Sequence, residues 1–130
     1  MAPLALSNLA TVYLDKRQYT RAEKQFRDVV QRFTQSLSPD HLYTGIAQIK
    51  LGRALTRQRR YAEAEEHTLA GYQIVAKQSN PSLTWSRTAR EDLATIYDAL
   101  NQPAKAAAYR SQPAALRISH SLSPALTSLR

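Results

Sequence analysis

Tyr19-Thr20-Arg21-Ala22-Glu23 and Tyr61-Ala62-Glu63-Ala64-Glu65 stand 42 residues apart and decide how the chain is read. The same interval separates Leu9-Ala10 from Leu51-Gly52, and that pair from Leu93-Ala94. Tyr13, Leu55 and Tyr97 keep the spacing, as do Ala22, Ala64 and Ala106, while Pro39 and Pro81 punctuate the junctions. A fixed period of this kind belongs to architectures in which one supersecondary unit is stacked on itself. Three copies fit in the chain.

Within a copy the pattern is helical. Leu6, Leu9, Ala10 and Tyr13 recur at i, i+3, i+4 and i+7, one face of an α-helix. Ala10, Gly52 and Ala94 put a small residue at one site of the first helix, and Ala22, Ala64 and Ala106 do so on the second, so helices can approach closely. Each copy is therefore a helical hairpin, closed near residues 15–18, 57–60 and 99–102. The first (A) helices are expected over about 3–16, 40–58 and 82–100 and the second (B) helices over about 19–36, 61–78 and 103–117. Asn80-Pro81 reads as a cap followed by proline in the first turn, and Ser38-Pro39-Asp40 reads the same way 42 residues earlier. A hairpin cannot bury its own apolar stripe, so the expected fold is all-α: a right-handed α-solenoid of three stacked antiparallel helix pairs. The domain spans 1–118, with repeats at about 3–38, 39–80 and 81–117. Residues 119–130, rich in Ser, Leu and Pro, read as a disordered tail, with a docked turn at Leu122–Leu126 the other option.

Composition agrees. The 130 residues suffice for one domain with a core; 43% are hydrophobic and only 3 are glycine. The absence of cysteine removes disulfides, thiolate nucleophiles and Cys-based zinc sites, and fits a cytoplasmic protein. No stretch approaches the roughly 18 apolar residues needed to cross a bilayer. The opening Met1-Ala2-Pro3-Leu4-Ala5-Leu6 lacks the basic flank of a signal peptide, and helical signal begins at once, as in a segment of a longer protein. The 18 Lys and Arg against 10 Asp and Glu leave a net charge of +8, which favours acidic partners.

A Leu-(Gly/Ala)-x-x-Tyr first helix followed by Tyr-x-x-Ala resembles the tetratricopeptide repeat (TPR). The usual period there is about 34 residues. Ala10 and Ala22 keep the ordinary separation of 12, so the eight extra residues must lengthen the end of helix B and the start of the next helix A. This longer form is similar to the repeats of kinesin light chains and their bacterial relatives. The residues that carry the likeness are Asn8-Leu9-Ala10-Thr11-Val12-Tyr13, Tyr19-Thr20-Arg21-Ala22-Glu23 and Ser38-Pro39-Asp40-His41, with Thr44 after them; Leu42 stands where that family often has a second proline. The third copy departs most, with Pro103 for the tyrosine and Arg110 where Phe26 stands in the first; a polar final repeat suits a cap. Arg90–Tyr97 with Ala106–Arg110 is also similar to the C-terminal repeats of bacterial Ser/Thr kinases, although no kinase active-site motif is present.

Catalytic chemistry finds no foothold. Gly45, Gly52 and Gly71 form no phosphate-cradling loop, His41, His67 and His120 lie on different elements, and no metal or other cofactor is implied. Glu63, Glu65 and Glu66 read as a solvated helix face. The chain is expected to be a non-enzymatic scaffold that binds a protein or peptide. The resemblance implies a concave groove lined by the A helices, with Asn8 and Thr11 from the first copy, Ile49, Lys50, Arg53 and Arg57 from the second, and Asp92 and Thr95 from the third. Lys50, Arg53 and Arg57 make a cationic stripe that could hold carboxylates, arginine bidentately, while Glu91, Asp92 and Asp98 make the far end acidic. Two other readings stand beside it. Leu4, Leu6 and Val12 suggest an apolar edge on the first helix, for a homodimer or a longer array, as in an oligomerisation segment of a larger regulatory protein. Arg21, Lys24, Arg27, Arg32, Arg59 and Arg60 suggest a nucleic-acid surface, but the aromatics needed for stacking fall on core positions. Tyr43 and Trp85, 42 apart, read as packing residues before ligand anchors.

Overall fold

The computed structural model describes residues 2–78 and 83–111. Six helices follow one another: α1 (Pro3–Asp15), α2 (Tyr19–Ser36), α3 (Leu42–Arg57), α4 (Tyr61–Ala76), α5 (Leu83–Ala99) and α6 (Pro103–Arg110). Each packs on the next, and α1 also touches α3, and α3 touches α5. The hairpins thus stack in sequence order, with the A helices side by side along one wall. Proline opens α1 and α6, where its fixed φ suits the first turn and its missing N–H costs nothing. The expected tail and the Asn80-Pro81 cap lie outside the described residues, as does any stretch of the last B helix beyond Ser111.

The hairpin turns are the same device used three times. Gln18 N–H donates to Tyr13 O, Arg60 N–H to Leu55 O and Gln102 N–H to Tyr97 O, at 2.9, 3.0 and 2.8 Å. These bonds close a Schellman-type end on each A helix. The residue just before each donor is left-handed: Arg17, Arg59 and Asn101 all have φ 62°. One start differs from expectation. Ser38-Pro39-Asp40 does not cap α3; His41 does, its Nδ1 accepting from Tyr43 N–H at 3.0 Å, and the helix begins at Leu42. Thr44 Oγ1 reaches back to Ser38 O at 2.8 Å and pins the preceding turn.

The small residues do what their spacing implied. Ala22, Ala64 and Ala106 are each 0% exposed, and Ala10, Gly52 and Ala94 are buried. At Gly71, where α4 crosses α3, an added Cβ would stand 2.6 Å from Gly45 O and 2.9 Å from Ile49 N, so only glycine allows this backbone approach. Leu9 and Tyr13 are only half-buried, whereas Leu51, Leu93, Leu55 and Tyr97 at the same register are buried. Among the described residues, no hairpin lies over α1 on that side.

Polar contacts also tie the first two hairpins together. Buried Glu23 of α2 accepts from Gln58 Nε2 at 2.9 Å and from Arg60, and pairs with Arg27, which reaches Glu63 of α4 at 3.3 Å. These hydrogen bonds hold the Glu23 carboxyl below its ordinary range although burial opposes them.

Candidate partner-binding groove

The inner wall is built from α1, α3 and α5, and one contact repeats along it. Lys50 Nζ donates to Thr11 Oγ1 at 3.0 Å, and Arg53 donates through Nε and Nη2 to the two oxygens of Asp92 at 3.2 and 3.0 Å. Both pairs are separated by 39 residues. In each, the residue at the Thr11 register of one A helix meets the residue at the Asn8 register of the next. Helical spacing explains this: the two sites lie one turn apart on the flank where neighbouring A helices touch.

Two recesses flank the C-terminal end of α3. One is bordered by Arg53, Arg57, Arg59, Tyr61, Asp92 and Thr95. The other is bordered by Leu14, Asp15, Arg17, Tyr19, Arg53 and Arg57. Arg57 stands between them, exposed, with no hydrogen bond or ion pair to a described residue. Sequence reasoning proposed Arg53, Arg57, Asp92 and Thr95 for the groove, gave Arg59 to a nucleic-acid surface and Tyr19 and Tyr61 to the core, and missed Arg17. The recurrence of Arg-x-Tyr at 17–19 and 59–61 was the signal available for the last four.

The remaining candidates fall out differently. Ile49 is not a groove residue: at 1% exposure it packs with Val75 and Ala89. One position before Lys50, it is turned about 100° around the helix, into the seam between α4 and α5. Lys50 is half-buried, its ammonium 5.5 Å from the centre of the Trp85 ring. Burial, then Arg53, push its pKa down against the pull of Asp15. Burial likewise lifts Asp92 above the usual carboxylate range, and its hydrogen bonds to Arg53 only partly offset this. Asn8 is exposed on the flank of α1 that faces no other helix, and Thr95 Oγ1 donates to Glu91 O at 3.1 Å. The acidic end is also muted, because Asp92 holds Arg53 and Asp98 holds Arg110.

Tyr43 and Trp85 pack on the preceding B helix. Tyr43 lies 5.7 Å from Phe33 of α2, and Trp85 joins the cluster containing Val75 of α4. Three basic residues of α2 have partners as well: Arg27 pairs with Glu23, Arg32 pairs with Asp28, and Arg21 sits 5.1 Å over the Tyr13 ring.

The Tetratricopeptide repeat family model matches residues 2–77, more than half of the chain. The chain belongs to the tetratricopeptide repeat family. TPR modules generally mediate protein–protein interaction and are typically non-catalytic scaffolds. Among solved structures, a kinesin-light-chain-type protein of Podosopora anserina, with nearly identical TPR-like repeats, is similar at TM-score 0.73 and 23% identity. That similarity covers 89% of this chain and 55% of the other, so the chain spans about half the length of that protein. No curated protein matches. Among the described residues, no helix of this TPR chain is long and apolar enough to cross a membrane, and no three His, Cys, Asp or Glu residues gather as a metal site.

Proposed function

We propose that this TPR module is an interaction scaffold whose concave wall holds an extended segment of a protein partner through that segment's carboxylates. The observation that carries the reading is Arg57, an exposed guanidinium shared by two recesses and hydrogen-bonded to no described side chain. Arg17 and Arg59 border the same recesses, Asp15 is the one carboxylate there not held by Arg53, and Tyr19 and Tyr61 supply flat apolar walls. Arginine's fork suits a carboxylate bidentately, and the net charge of +8 favours encounter with an acidic chain. Lys50 and Arg53 are occupied by Thr11 and Asp92, so they set the shape of the wall while Arg57 is offered to the guest.

Trp85, the one tryptophan, sits beside Lys50 and serves as an intrinsic reporter. Titration with an acidic peptide shifts its fluorescence saturably, and Arg57→Glu weakens that binding about tenfold or more, the loss of one charged anchor. Equal affinity of the variant and the parent overturns the assignment. A single-stranded oligonucleotide that binds more tightly than the peptide, with a steep salt dependence, favours a nucleic-acid surface instead.

A further inference from the structure

The open flank of α1 carries an inference beyond the groove. In α3 and α5 the residues of this flank are sealed by the preceding hairpin. Ala47 and Ala89 are buried, as are Ala54 and Ile96, while their register equivalents Ala5 and Val12 are exposed. Leu4 is 53% exposed and Val12 is 45% exposed. Lys50 and Asp92 each find a partner on the preceding A helix; Asn8, at the same register, has none among the described residues.

Three observations choose the occupant. First, the flank is palindromic. Leu4 and Val12 lie four residues on either side of Asn8, so a second α1 laid antiparallel about a twofold axis at Asn8 sets Leu4 against Val12 of the other copy, and Val12 against its Leu4. The two Asn8 amides then meet, and a carboxamide is its own complement, each donating N–H to the other's carbonyl. Second, in a molecule of net charge +8, α1 carries a single charged side chain, Asp15, at its far end, so two copies approach along this edge without cationic repulsion. Third, among the described residues the opposite end of the stack is unlike this flank: where Phe26 of α2 closes the stripe of α3, α6 presents exposed Arg110.

We propose that a second copy of the chain covers this flank, α1 against α1, with the twofold axis at Asn8. This assigns Asn8 to a dimer interface instead of the groove, and it stands whether or not the groove takes an acidic guest.

The absence of cysteine makes the geometry directly testable. Sedimentation equilibrium is expected to show mass rising with concentration from 14.6 kDa toward twice that value, and Val12→Asp is expected to remain monomeric with unchanged helix content by circular dichroism. Asn8→Cys chains are expected to form a disulfide-linked dimer under mild oxidation, since facing Cα atoms of packed helices fall within disulfide reach. Val12→Cys chains alone are not, because two such residues lie about 12 Å apart along the helices. A mixture of Leu4→Cys and Val12→Cys chains is expected to give the crossed dimer. A mass of 14.6 kDa at every concentration, or Val12→Cys cross-linking as readily as Asn8→Cys, overturns the proposal.

Discussion

Arg53 of α3 grips Asp92 of α5 through two parallel hydrogen bonds of 3.2 and 3.0 Å, joining the second repeat to the third across the groove wall. The clasp has two consequences. Because Arg53 is partly exposed, solvent screening limits its worth, and a double-mutant cycle of Arg53→Ala with Asp92→Asn is expected to give a coupling of about 1 kcal/mol in urea unfolding. Asp92 also occupies an arginine that an acidic guest could use. Asp92→Asn alone is therefore expected to tighten binding of an acidic peptide, read by titrating variant and parent side by side.

Gly52 and Thr68 press α3 against α4. A Cβ added at Gly52 would stand 1.9 Å from Thr68 Oγ1, and that hydroxyl is buried with no hydrogen-bond partner. Gly52→Ala is expected to cost about 1–3 kcal/mol by overpacking. Thr68→Ala removes the hydroxyl, the nearest obstacle, but leaves the Cβ and backbone N of residue 68 at 3.1 Å, so the double variant should recover part of the loss. Thermal melts of the four proteins test this, and a double variant as unstable as Gly52→Ala refutes it.

The left-handed turn residues offer a third measurement. A side chain at φ 62° crowds its own carbonyl, and Arg17 and Arg59 bear that strain where glycine would not. Arg59→Gly is expected to stabilise the fold by about 0.5–1 kcal/mol, read as a higher melting temperature. The same substitution strips a cation from the recess it shares with Arg57, so peptide affinity should fall as stability rises.

His67 makes stability depend on pH. Burial, then Arg27, push its pKa below the ordinary 6.5 against the pull of Glu66, Glu63 and Glu23, while its Nδ1 lies 2.8 Å from Gln48 Oε1. In the window from 6.5 downward to the folded value, the unfolded chain binds the proton and the folded chain does not. Stability from this site is therefore complete above that window and declines as the pH falls through it. Unfolding curves between neutral pH and about pH 5 should show the decline, with a shallower slope in His67→Gln. An unchanged slope in the variant contradicts the assignment.

The recurrence of Leu9, Leu51 and Leu93, with Ala22, Ala64 and Ala106, made the hairpins, their turns and their stacking order legible, because burial of small residues at helix crossings has few alternatives. The packing along the A-helix wall was legible only partially. Ile49 was misplaced because a family pattern assigns a face to within one residue, and one residue is a rotation of about 100°. The engagement of Lys50 by Thr11 and of Arg53 by Asp92 depends on the stagger between neighbouring A helices, which no single helix encodes. Arg17 was hidden for another reason: arginine at a left-handed turn contradicts local preference, so nothing in the turn itself advertised it. His41 escaped notice as a cap because the serine, proline and aspartate before it are the commoner starting residues.

The Glu23–Arg60 and Arg27–Glu63 contacts that bind the first hairpin to the second have Glu65–Gln102 and Leu69–Lys105 at the same register one period on, pairs that cannot form an ion pair. The two joints of the stack are therefore fastened on different faces: the first by ion pairs from α2 to the start of α4, the second by the Arg53–Asp92 pair between α3 and α5. A guest on the A-helix wall would lie over the fastening of the second joint and away from that of the first, so binding would couple unequally to the opening of the two.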